Sequence, residues 1–305
     1  MKIRFQFALA ALTLVGLFSL VSASFAQDAT SEATPEATSA VTPSLRPGET
    51  VVTLDNGVVG TLLQPKADTP VPAVLLLHGF ASSRDEVGDM YKRLAASLAD
   101  QGIASLRIDF RGWGDSAGGM ENSTVDGQVA DAEAAYNYLS DLDFVDHERI
   151  GLVGFSLGGG IAVYTAGEHP AWFKSMALWS TFGDLHDVFL DELGQDNFDT
   201  AAKDGKVTID LGFRTVTLNN GFFDSLDDYD TAAEFANYRG AFMVIAGSAD
   251  GSSGFLDWYR DHAQGDLKAS FLVKGADHIY NVLTDDQTNS NAVIDKTAAW
   301  FALSL

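Results

Sequence analysis

The stretch that decides the reading is "IGLVGFSLGGG", residues 150–160. Apolar residues lead into Gly154-Phe155-Ser156-Leu157-Gly158, and a helix-like run follows. A Gly-x-Ser-x-Gly carries mechanical meaning when a strand precedes it and a helix follows. Small flanking residues permit a tight turn that lifts the serine Oγ above a sheet. The helix start directs its free N–H groups and positive dipole end at the same place. Ser156 is therefore read as a nucleophile held in a strained turn, not as part of a glycine-rich loop.

Outward from this turn the chain alternates strands and helices. On the N-terminal side, "VVTLDNGVVGTLLQP" holds Asn56-Gly57, a hairpin signal between two β-rich runs. "PAVLLLHGF" is a continuous apolar run of the kind buried on both faces of a parallel sheet. Residues 86–101 place Val87, Tyr91, Leu94 and Leu98 on one helical face. "GIASLRIDF" reads as a strand, and Val125, Val129, Ala132, Tyr136 and Leu139 mark a helix. Beyond the turn, "KSMALWS", "GAFMVIAGS" and "KASFLVKG" read as strands, and residues 291–305 as a closing helix. This rhythm predicts an α/β fold, a mostly parallel sheet with helices on both faces. Residues 181–239 break it, and a structureless loop that long does not suit a compact domain. They read as an inserted cap, with "KVTIDLGFRTVTL" as strands at its centre.

A serine hydroxyl needs a base, and the base needs an orienting acid. After a nucleophile turn of this kind the chain order is Ser, then Asp or Glu, then His. Only His262 and His278 follow late enough. His278 directly follows a strand in "VKGADHIYN", whereas His262 lies in the helix-like "FLDWYRDHAQG". His278 is the expected base. Asp250 ends the strand-and-turn "MVIAGSADG" and is the expected acid; Asp257 and Asp261 fall on the helix, and Asp277 points elsewhere. The oxyanion donors are expected at the N–H groups of Leu157 and of Phe80 in "LLLHGF". His78 reads as a loop brace, and His147, His169 and His186 as surface or cap residues. No His/Asp/Glu set has metal-ligand spacing, and no glycine-rich loop has a nucleotide pattern, so no cofactor is expected.

Composition and termini bound the rest. The 305 residues, 46% hydrophobic, suffice for a sizeable core. A formal charge of −23 argues against nucleic-acid binding. The absence of cysteine excludes disulfides, thiolate metal sites and a cysteine nucleophile. Lys2 and Arg4, the apolar run 7–21, and Ser24 and Ala26 as small residues read as a secretory signal peptide over residues 1–26. Its removal takes the formal charge to −25 and leaves no membrane span; the other reading of this segment is an uncleaved anchor. The Ala/Thr/Ser/Pro-rich residues 27–48 read as a disordered linker before a domain over 49–305. The expected location is periplasmic or extracellular, and the expected partner is a small-molecule ester. Asn122-Ser123-Thr124 matches a glycosylation acceptor.

"HGF" (78–80), "DFRGWGDSAG" (109–118), "GFSLGG" (154–159), "GSAD" (247–250) and "GADH" (275–278) resemble the α/β-hydrolase superfamily over residues 50–305. Residues 111–139 and the cap segments "DLGFR" and "FFDSLDDYD" resemble bacterial cinnamoyl and feruloyl esterases in particular. The resemblance implies the α/β-hydrolase fold with a small cap, and cleavage of hydroxycinnamoyl esters through an acyl-enzyme. Carried over by motif, it implies Ser156 as nucleophile, Asp250 as acid, His278 as base, and Phe80 and Leu157 as oxyanion donors. The chain departs from that pattern at "GSSGF" after Asp250 and at "HIYN" from His278. Lysophospholipases, thioesterases and peptidases share the core motifs, and a non-catalytic binding module is the reading from another class. Phe182, Phe189, Phe213, Phe222 and Phe223 are candidates for an apolar acyl pocket.

Overall fold

A computed structural model describes residues 45–305. The expected signal segment and nearly all of the expected linker lie outside these residues.

Among the described residues, eight strands form one sheet. In spatial order they are β1 (Glu49–Thr53), β2 (Val59–Leu63), β4 (Ala104–Asp109), β3 (Val71–Leu77), β5 (Val145–Phe155), β6 (Ser175–Trp179), β9 (Ala241–Gly247) and β10 (Lys268–Val273). The β1–β2 and β2–β4 pairs are antiparallel and all others parallel. Asn56-Gly57 makes the first hairpin: Gly57 takes a φ of 86°, and the Leu54 N–H donates to Val58 O at 2.8 Å. This is the left-handed conformation that a tight hairpin turn asks of glycine.

Alternation in the central strands divides the core in two. Ala73, Leu75 and Leu77 of β3 join Leu106, Leu152 and Leu178 on one face, beneath α2 (Val125–Ser140) and α3 (Leu157–Glu168). Val74 and Leu76 join Val153, Trp179 and Ile245 on the other, beneath α1 (Met90–Asp100) and α9 (Thr288–Ser304). A strand buried on both faces shows no polar alternation, which is why β3 reads as an unbroken apolar run. Full burial of each large aliphatic side chain is worth about 1.5–3 kcal/mol. α1 begins at Met90, later than its sequence periodicity suggests. Glu86, Gly88 and Asp89 have φ values of 59°, 60° and 56°, so Val87 sits in a short 3-10 turn ahead of the helix.

Between β6 and β9 the chain builds α4 (Leu185–Leu193), α5 (Gln195–Asp204), the antiparallel hairpin β7 (Lys206–Asp210) and β8 (Thr215–Asn219), α6 (Asn220–Asp224) and α7 (Thr231–Asn237). The elements share one apolar cluster with the first sheet face through Phe189, Val216, Leu218 and Phe222. α8 (Leu256–His262) joins β9 to β10. No helix among the described residues is long and apolar enough to cross a membrane.

Candidate active site

Ser156 sits where β5 ends and α3 begins, with φ 53° and ψ −119°. Non-glycine residues rarely adopt such angles, and a strained backbone of this kind costs about 1–3 kcal/mol. The glycines around it are required by contact. A Cβ on Gly154 would stand 2.3 Å from Gly158 O, and one on Gly158 would stand 2.3 Å from Leu77 O. The Ser156 N–H donates to Trp179 O at 2.9 Å, which holds the turn to β6. The serine side chain does not cap α3. Leu157 is the first residue of α3, whose leading N–H groups have no acceptor within the helix.

Asp250 follows β9, and His278 follows β10. His278 Nδ1 lies 3.1 Å from Asp250 Oδ2. The Asp250 side chain is 7% exposed and that of His278 35%. The Ser252 hydroxyl also donates to Asp250 Oδ2. Burial works against ionisation of Asp250, but the His278 partnership and the Ser252 hydrogen bond together hold the carboxyl below its ordinary range. Burial likewise works against the imidazolium. The Asp250 hydrogen bond and the charges of Asp250, Glu192 and Glu86 outweigh it, so His278 is raised above 6.5. The Ser180 hydroxyl donates to His278 O at 2.9 Å and secures the loop. The rings of Phe155 and Phe182 lie 5.2 and 5.6 Å from the imidazole. Among the described residues no hydrogen bond joins His278 to Ser156 Oγ.

Phe80 lies in the loop after β3. His78 stands at the base of this loop, 1% exposed. Its Nδ1 donates to Gly79 O at 2.7 Å and its Nε2 accepts the Phe110 N–H at 3.1 Å. One donor and one acceptor define a neutral ring, in keeping with burial, which lowers its pKa. His78 thus bridges two loops.

Other sequence expectations divide. Asp277 Oδ1 accepts the Ile279 and Asn281 N–H groups, so its carboxylate is turned into its own loop. Asp257 and Asp261 are exposed and pair with Arg260. His262 is exposed on α8. Phe189 and Phe222 pack on the Phe80 ring at 5.0 and 5.6 Å, but Phe213 is 75% exposed at the hairpin turn. Glu133, Glu168 and His169 bring one ligand atom each within 4.8 Å of one another, as do Asp184, His186 and Asp187. The first group escapes a reading by spacing because Glu133 comes from α2 and its partners from the end of α3. Sequence reasoning also missed Ser252, Ser180, Glu86 and Glu192, which carry no motif. The serine in "GSSGF" was visible only as a departure from the family pattern.

The model for the alpha/beta hydrolase fold family matches residues 72–304. The chain belongs to the α/β-hydrolase fold family. Its eight-stranded sheet, helices on both faces and serine turn after β5 are those of the α/β-hydrolase fold. Esterase FrsA of Klebsiella pneumoniae strain 342 is 30% identical over 152 residues, which is 50% of this chain and 35% of that protein. An uncharacterised 31.7 kDa protein of Escherichia coli from the traX-finO intergenic region is 29% identical over 131 residues, covering 43% of this chain and 44% of its own length. The chain thus spans less than half the length of these curated relatives. Among solved structures, Est1E from Butyrivibrio proteoclasticus with ferulic acid bound aligns with a TM-score of 0.66 at 17% identity, covering 84% of this chain and 98% of that one. This α/β hydrolase therefore shares its fold with Est1E.

Proposed function

We propose that this protein is a secreted serine ester hydrolase working through an acyl-enzyme. The observation that carries the reading is the Asp250–His278 pair beside the strained turn of Ser156. His278 Nε2 takes the Ser156 proton as Oγ attacks the ester carbonyl; catalytic hydrogen bonds of this sort commonly close only in the substrate complex. Asp250, ionised at neutral pH, orients the ring and stabilises the imidazolium. The Phe80 and Leu157 N–H groups receive the oxyanion, each worth about 3–4 kcal/mol. His278 then gives its proton to the leaving alkoxide, leaving the acyl group on Ser156 Oγ. Water deprotonated by His278 attacks the acyl carbon, and Ser156 recovers its proton as the acid departs.

Phe80, Phe189 and Phe222 form an apolar aromatic cluster at the oxyanion loop. That chemistry favours an aromatic or short acyl group, and the fold likeness to an esterase that holds ferulic acid supports the same direction. Secretion rests on the sequence of residues 1–26. The test compares ethyl ferulate with p-nitrophenyl acetate, butyrate and octanoate for the wild type and Ser156→Ala. Hydrolysis of the aromatic and short esters, lost in the variant, is the expected result. Preference for octanoate removes the hydroxycinnamoyl assignment and points to a lysophospholipase-like enzyme. More than a few per cent activity in a folded Ser156→Ala removes the serine mechanism.

A further inference from the structure

The loop that carries Phe80 is tied at both flanks by charged side chains. Glu86 is 7% exposed. Its Oε1 accepts the Gly79 N–H at 2.5 Å, and its Oε2 accepts the Ser82 hydroxyl and its neighbour's Val87 N–H, each at 2.9 Å. Its backbone φ of 59° lies in a region that side chains avoid, so this conformation is held at a cost. On the other flank, Arg214 at the turn of the cap hairpin donates from Nη1 to Ala81 O at 2.8 Å. Its guanidinium stands 5.5 Å over the Trp113 ring. Ala81 too has a positive φ, 58°. The loop between these two ties is bent and would relax without them.

The bonds made by Gly79 set the direction of the Phe80 N–H. Gly79 O accepts from His78 Nδ1 at 2.7 Å and from the Ser82 N–H at 3.3 Å. In a planar trans peptide the N–H lies opposite the carbonyl. With the carbonyl turned to His78 and Ser82, the Phe80 N–H is turned the other way, and it makes no hydrogen bond among the described residues.

We propose that Glu86 and the cap residue Arg214 are positioning residues for oxyanion stabilisation: together they hold the 79–81 loop so that the Phe80 N–H faces the reacting carbonyl. Glu86 acts from the core and Arg214 from the cap. The cap thus contributes to turnover as well as to substrate fit. The inference rests on the hydrolase reading above, because the donor it positions belongs to that mechanism.

The test uses the full chain, p-nitrophenyl acetate, and the rate of fluorophosphonate labelling of Ser156. Glu86→Ala and Arg214→Ala are each expected to lower kcat and the labelling rate about 10- to 100-fold, the scale of a misplaced transition-state contact, with KM changed less than about threefold. Glu86→Gln keeps an oxygen for the Gly79 N–H and Arg214→Lys keeps a donor for Ala81 O; both are expected to recover most of kcat. Circular dichroism and thermal melts check folding. Arg214 is half-buried at the turn of the cap hairpin, outside the sheet core, so Arg214→Ala decides the question even where Glu86→Ala fails to fold. Wild-type kcat and labelling in a folded alanine variant, or a change confined to KM, overturns the clamp alone. Wild-type protein that never labels at Ser156 overturns the hydrolase reading, and the clamp with it.

Discussion

Ser252 and His278 meet at a single atom: both donate to Oδ2 of Asp250, His278 from Nδ1 at 3.1 Å. The serine therefore shares the electron density that would otherwise hold the imidazolium. Removing it leaves Asp250 a stronger acceptor for His278 and less firmly oriented. Ser252→Ala is expected to move the acid limb of the kcat/KM profile to higher pH and to lower kcat about threefold to tenfold, on the scale of one lost hydrogen bond to a charged group. A pH profile at constant ionic strength checks this; an acid limb moved downward contradicts it.

The three carboxylates that raise His278 are Asp250, Glu192 from the cap helix α4 and Glu86 beyond the 79–81 loop. A general base works only when neutral. With its pKa raised above the ordinary 6.5, kcat/KM is expected to climb with pH through a value higher than that of a free histidine. Glu192→Gln removes one negative charge, makes the imidazolium less stable and shifts the same limb to lower pH. Glu192 acts on His278 through its charge alone and shares no hydrogen bond with His278 or Asp250 among the described residues, so kcat on the alkaline plateau is expected to stay within about twofold, the scale of a remote charge change.

The strain at Ser156 predicts a trade of stability against activity. Ser156→Gly adopts φ 53° freely, and relief of strain outweighs the extra flexibility of glycine in the unfolded chain. Urea unfolding is expected to show a gain of about 1 kcal/mol, together with complete loss of ester hydrolysis. Gly154→Ala places a methyl 2.3 Å from Gly158 O and is expected to lose about 1–3 kcal/mol.

The aromatic cluster at Phe80 predicts how specificity moves. Phe189 packs edge-on to both Phe80 and Phe222 at 5.0 and 5.2 Å. Phe189→Ala opens space beside Phe80, where the proposed acyl group would lie. It is expected to raise KM for ethyl ferulate about tenfold while altering kcat/KM for p-nitrophenyl acetate about twofold or less, because an acetyl group does not reach the enlarged space.

The fold was legible because its signals are local and redundant. Apolar runs at β3, β4 and β5, each followed by a helical pattern, leave few alternatives to a parallel sheet. Ser156, Asp250 and His278 stand out as candidates because each follows a strand in the expected chain order, and the structure pairs His278 with Asp250. What escaped depends on tertiary approach. Glu86 and Arg214 hold a loop through backbone atoms, and backbone acceptors leave no pattern in a sequence. Ser252 acts through a two-residue return that resembles an ordinary turn. Phe213 is a pocket candidate by residue type and place in the cap, but it stands at the tip of the β7–β8 hairpin and faces solvent. The start of α1 falls later than its spacing suggests because positive φ at Glu86, Gly88 and Asp89 interrupts a face whose spacing continues across them.

The most direct measurement maps the covalent adduct of a fluorophosphonate probe by peptide mass spectrometry. The account predicts one adduct, on Ser156, lost in Ser156→Ala and slowed in His278→Ala and Asp250→Asn. A folded wild-type protein that takes no probe, or takes it on a residue other than Ser156, contradicts the account.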